Sequence, residues 1–111
     1  MFGKTNDKID SEIFAIYDTK VQSYGAPLFA TNRHDVVRQL TNMFREPEQQ
    51  QKNQLFLNAE DFSIFKIGTY EKTKGLIVGQ NPPEHVANLH ELKALIQKDS
   101  MSQTKQALYS T

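Results

Sequence analysis

The stretch Asp61-Phe62-Ser63-Ile64-Phe65-Lys66-Ile67-Gly68-Thr69-Tyr70 decides the fold, read with Glu71-Lys72-Thr73-Lys74-Gly75 and Leu76-Ile77-Val78 behind it. Its apolar residues are β-branched or aromatic, the types that fit a pleated surface. Phe62 and Ile64 share one face, and Phe65 and Ile67 share the other. Either both faces are covered or a bulge shifts the register, and Gly68 is a candidate place for one. Glu71 to Gly75 reads as a hairpin loop, with Gly75 supplying a positive φ. Leu76-Ile77-Val78 is then the return strand, and Gln80-Asn81-Pro82-Pro83 breaks it.

Working toward the N-terminus, Glu46 to Gln54 is a polar stretch with no core-forming residue, read as a loop. Leu55-Phe56-Leu57 either anchors that loop or forms a bridge. Before it lies an amphipathic helix. Asn32 is a good N-cap with Asp35 at N3, and Val36, Val37, Leu40, Met43 and Phe44 form the apolar stripe. Pro47 ends the helix near Arg45 or Glu46. Leu28 to Ala30 is a short strand behind the turn Tyr24-Gly25-Ala26-Pro27. Glu12 to Asp18 is a longer one, with Ile13, Ala15 and Tyr17 on one face and Phe14 and Ile16 on the other. Both faces are apolar, which predicts a central position. Thr19 to Gln22 either extends that strand or starts a loop. Toward the C-terminus, Val86, Leu89, Leu92, Leu95 and Ile96 recur at helical spacing from Glu84 onward, most securely over Leu89 to Gln97. The order is β-β-α-β-β-α. It predicts an α+β fold with a small antiparallel sheet of about four strands and two helices.

The chain has 111 residues, which suits a single domain over 1–111, with a loose leader at 1–11 and a polar tail at 99–111 that either frays or docks. There is no cysteine, so no disulfide framework or cysteine-based zinc site is available. A hydrophobic content of 38% and a mean hydropathy of −0.60 argue against a membrane protein. No stretch approaches the ~20 apolar residues that span a bilayer. The polar N-terminus, with charges of both signs, does not resemble a signal peptide.

Catalytic signals are equally sparse. His34, His85 and His90 have no partner spacing for a metal, and the ordinary reading is surface or capping histidines. No serine sits in a nucleophile motif. The five glycines are scattered, and none opens a helix as a phosphate loop requires. Glu60-Asp61 reads as a solvated strand entry. These absences predict a non-enzyme with no cofactor and no metal.

Lys plus Arg and Asp plus Glu each number 13, with no basic or acidic tail, so bulk charge does not hold a polyanion. Aromatic and basic residues do interleave. Tyr17, Lys20 and Tyr24 lie in one segment. Phe65, Lys66 and Tyr70 lie in another, ahead of Lys72 and Lys74. Arg33, Arg38 and Arg45 lie on or beside the first helix. Rings beside cations are what single-stranded nucleic acid uses, although strand aromatics are ordinarily core and mixed charge is ordinarily a solvated face.

The segment from Glu12 to Gly79 resembles the small nonstructural protein of gokushovirus-type microviruses, phages with circular single-stranded DNA genomes. The resemblance runs through Ile13-Phe14-Ala15-Ile16-Tyr17-Asp18-Thr19-Lys20, Tyr24, Pro27, Phe29 and Val37-Arg38-Gln39-Leu40. It continues through Asp61-Phe62-Ser63-Ile64-Phe65-Lys66-Ile67-Gly68 and Thr73-Lys74-Gly75. It implies a nonstructural protein of the host bacterial cytoplasm. Such a protein would bind DNA in replication, or in the switch to single-stranded genome synthesis and packaging. It brings no catalytic residues.

The combined expectation is a non-enzymatic single-stranded DNA-binding protein. Lys20, Arg38, Lys66, Lys72 and Lys74 would neutralise phosphates, and Tyr24 and Tyr70 would stack on bases. Tyr17 and Phe65 are read as core, and Arg33 lies near the apolar side of its helix. A neutral domain binds weakly alone, which predicts a homo-oligomer, a dimer or larger. The Leu89 to Ile96 helix is a candidate interface, although its leucines fit the core better. The rival reading is a protein-interaction module that binds a phage replication or assembly protein or a host replication factor.

Overall fold

The computed structural model describes residues 11–109, with side chains over 11–99. Residues 1–10 of the predicted leader and the side chains of 100–111 in the predicted tail lie outside the described residues, whereas Ser11 opens a strand.

Five strands form one antiparallel sheet. They are β1 (Ser11–Asp18), β2 (Ser23–Tyr24), β3 (Leu28–Ala30), β4 (Phe62–Glu71) and β5 (Leu76–Asn88). The order is β2-β1-β4-β5, and β3 pairs with β1 beside β2. β1 is central, as its two apolar faces predict. The helices are α1 (Arg33–Phe44), α2 (Pro47–Lys52), α3 (Gln54–Leu57) and α4 (Leu89–Tyr109), with a 3-10 turn at Ala59–Asp61. The α+β class with an antiparallel sheet is therefore present, with more elements than the sequence pattern resolves.

The helices pack on one face of the sheet. Phe14 and Ile64 from the strands meet Val36, Leu40 and Phe44 of α1, Phe56 of α3, and Leu89, Leu92 and Ile96 of α4 in one buried cluster. Each large side chain removed from water here contributes about 1.5–3 kcal/mol before entropy is charged against it. Asn32 caps α1, its side chain accepting the Asp35 N–H at 2.9 Å.

Two segments depart from expectation. The polar run after Pro47 is helical rather than looped. Proline stops a preceding helix, but it also suits the first position of a new one. Glu48 and Lys52 then pair across one turn at 3.2 Å. Phe56 of α3 is buried and closes the core against Phe44 with an edge-on contact at 5.3 Å. The second departure is Gln80 to Asn88: β5 runs on through Pro82 and Pro83 where a break is expected, and Glu84 to Asn88 is strand rather than helix. It pairs with β4 through Phe65↔His85, Ile64↔Ala87 and Ser63↔Asn88. The helix starts after Asn88, whose N–H donates to Glu91 Oε1 at 3.2 Å, half of a capping box. The segment after Asp99 continues α4 to Tyr109.

The slipping pattern of β4 is a bulge. Register with β1 shifts between Ile13↔Gly68 and Phe14↔Lys66, leaving Ile67 as the extra residue. Gly68 lies beside the bulge for a steric reason. A Cβ there would collide with the Val78 carbonyl of β5. Gly75 has φ +65, as the hairpin turn predicts.

Candidate nucleic-acid interface

Side chains alternate across a strand, so the ladder sorts every residue to one face. Phe14, Ile16, Ile64 and Ala87 face the helices. Ile13, Ala15, Tyr17, Tyr24, Phe29, Phe65, Tyr70, Ile77 and His85 share the other face. No described helix packs there. Ile13 and Ala15 are nonetheless buried, outside the main core cluster. The ladder sets Ile13 beside Phe29 and Ala15 beside Phe65, so these short side chains lie among rings.

The rings form two groups. Tyr17 and Tyr24 are 4.8 Å apart between centroids, and Phe65 meets them edge-on at 6.1 and 5.6 Å. His85 continues the row, 5.3 Å from Phe65. Phe29 and Tyr70 pair edge-on at 6.2 Å nearer the β4–β5 turn. Tyr24 is 42% exposed and Phe29 51%. Polar contacts hold the His85 end. Asn88 Oδ1 accepts from Ser63 Oγ at 2.7 Å and lies 2.8 Å from His85 Nε2.

Cations stand at both ends of this face. Lys20 is in the Thr19–Gln22 turn that joins β1 to β2, beyond Tyr17 and Tyr24. Its backbone N–H donates to Asp18 Oδ1 at 2.9 Å. Lys72 and Lys74 are exposed in the turn between β4 and β5, at the opposite end because β1 and β4 run antiparallel. Among the described residues, Lys20 and Lys74 have no carboxylate within ion-pair distance. The ten residues of β4 separate the two ends by about 30 Å at ~3.3 Å per residue.

The structure thus brings Lys20, Tyr24, Tyr70, Lys72 and Lys74 to one face or its ends. It does not bring Arg38 and Lys66 there. Arg38 lies on α1 and pairs with Asp35 at 2.8 Å. Lys66 faces the helix side, where its ammonium meets Glu12 at 3.4 Å and its side chain is only 20% exposed. Arg33 pairs with Glu84 on the same side. Tyr17 and Phe65 lie outside the core cluster and join the aromatic row half-buried, beside the exposed Tyr24 and His85. With Phe29 and His85 they are the ring residues that pattern reading did not assign to this surface. Their strand parity with Tyr24 and Tyr70 was the available signal.

Two carboxylates are held below their ordinary range. Asp35 accepts from the Thr31 N–H, the largest influence, and from Arg38. Glu84 accepts from the Gln80 amide and then from Arg33. Both belong to the helix side. Among the described residues no cluster of His, Asp and Glu suits a metal ion, and no helix is long and apolar enough to cross a membrane.

A family model described as Phage ORF5 protein matches residues 11–92. The chain belongs to this family. The match takes in all five strands and ends at Leu92, within the part of α4 that packs on the core. No curated protein and no solved structure matches the chain.

Proposed function

We propose that this phage protein binds single-stranded DNA on the aromatic face of its sheet, without catalysing a reaction. The observation that carries the reading is the ring row Tyr17, Tyr24, Phe65 and His85 on the side no described helix covers. Rings on an open sheet give bases a sequence-tolerant stacking surface, with each stacked base worth about 1–3 kcal/mol. Lys20, Lys72 and Lys74 lie where a strand crossing the face would leave it. Membership of a phage family fits a role in genome replication, or in the switch toward single-stranded genome synthesis and packaging. The setting proposed is the cytoplasm of the infected bacterium, which the resemblance to gokushovirus-type nonstructural proteins implies.

Neutral net charge shapes the mode. Stacking carries most of the affinity, and Lys20, Lys72 and Lys74 neutralise about three phosphates per chain. The salt dependence is then shallow, with a log–log slope of about −2 for a single strand. Titration of labelled oligothymidylate at two salt concentrations tests this. A slope typical of a heavily cationic protein would place the contact surface elsewhere.

A further inference from the structure

We infer that the Leu76–Gly79 edge of β5 is a self-pairing surface for a second copy of this chain. β5 is the last strand of the sheet, hydrogen-bonded to β4 on one side only. Its outer edge therefore presents backbone donors and acceptors that a further strand satisfies. Natural sheets blunt such edges with charge, proline, bulges or brevity. The opposite edge of this sheet is blunted. β2 and β3 have two and three residues and are separated by Pro27. The second half of β5 is blunted too, by Pro82, Pro83 and a register shift. Leu76–Gly79 has none of these devices. Leu76, Ile77 and Val78 are 50%, 66% and 45% exposed, and no charged residue occurs from Leu76 to Pro83.

The sequence there specifies the occupant. Gly75-Leu76-Ile77-Val78-Gly79 reads chemically alike in both directions. An antiparallel partner related by a two-fold axis at Ile77 sets Ile77 against Ile77 and Leu76 against Val78. Every exposed aliphatic side chain then meets another. Lys74 falls opposite Gln80, so no like charges meet. A two-fold contact requires this kind of self-complementarity, and an unrelated strand would not need it. A Cβ on Gly79 would meet nothing within 4 Å, so the aromatic face of the sheet is open above that residue. The axis of an antiparallel pair stands perpendicular to the sheet, so both aromatic faces emerge on the same side of one continuous sheet. That last consequence rests on the DNA-binding reading, whereas the pairing itself does not.

The test is made without DNA. Sedimentation equilibrium of the full chain, at up to about 300 µM to suit an interface below ~1,200 Å², should show mass rising from 12.7 kDa toward twice that value. Ile77→Lys and Ile77→Glu, each checked for folding by circular dichroism, should each weaken association at least tenfold through self-repulsion at the axis. An equimolar mixture of the two should regain it, because Lys then faces Glu. Leu76→Lys provides the same disruption at a second exposed position. A wild-type chain that stays monomeric overturns the proposal, as do variants that associate like wild type. Disruption without recovery in the mixture overturns the two-fold at Ile77.

Discussion

Tyr17 lies directly across the β1–β2 ladder from Tyr24, with ring centroids 4.8 Å apart and planes inclined by 60°. The pair stands at the edge of the sheet nearest Lys20, and Phe65 backs both rings. If bases stack here, the exposed ring carries the energy and the backing rings hold it in place. Tyr24→Ala should weaken oligothymidylate binding about tenfold, within the ~1–3 kcal/mol of one stacked base. The salt slope should stay unchanged, because no phosphate contact is lost. Fluorescence anisotropy at two salt concentrations reads both quantities.

Lysine substitutions should behave in the opposite way. Lys20→Gln or Lys74→Gln should lower affinity alike for different sequences and reduce the magnitude of the salt slope by about 0.7 per phosphate contact removed. Arg38→Gln and Lys66→Gln should leave both quantities near wild type, since their side chains are paired with Asp35 and Glu12 on the helix side. The same anisotropy series separates the two groups.

Gly68→Ala should destabilise the fold by about 1–3 kcal/mol, the usual cost of forcing atoms into packed space. The obstacle is the Val78 carbonyl, which is backbone and cannot swing aside. A lowered urea midpoint with an unchanged m-value is the expected signature. A neutral result would mean that β5 does not approach β4 closely at this point.

Much of this architecture is legible in the residues. The alternation in Glu12 to Asp18, the cap at Asn32 and the glycine at position 75 each specify a local geometry that the structure contains. The segments that depart from their sequence pattern do so for local reasons. Pro47 carries two opposite helix signals, and only the Glu48–Lys52 pair and the docking of Phe56 decide between them. Val86 fits a helical stripe as well as a strand, and the pairing of its neighbours His85 and Ala87 with β4 decides it. The capping contact between Asn88 and Glu91 marks where the helix begins. Tyr17 and Phe65 depart from the core expectation because two apolar faces resemble two covered faces. Only the placement of the helices shows that they cover the Phe14 side alone.

Acid should loosen the helix side before the aromatic face. Asp35 and Glu84 have folded pKa values below their unfolded ones, so their contribution is complete above the ordinary carboxylate range. It is lost as pH falls through the depressed values. Urea midpoints should therefore drop as pH falls below about 5 and through the depressed values, and Asp35→Asn should flatten part of that drop. An Asp35→Asn midpoint that falls as steeply as wild type would show that these contacts do not contribute.

The rival reading, a protein-interaction module for a phage replication or assembly protein or a host factor, predicts partners that survive nuclease treatment of an infected-cell pull-down. The DNA-binding account predicts that they are lost.

The most direct measurement is the titration of labelled oligothymidylate with the folded wild-type chain and with Tyr24→Ala at about 50 mM salt, where phosphate contacts are strong. The account predicts saturable binding by wild type and a roughly tenfold loss in the variant. No binding by a chain shown to be folded, or equal binding by both, would contradict it.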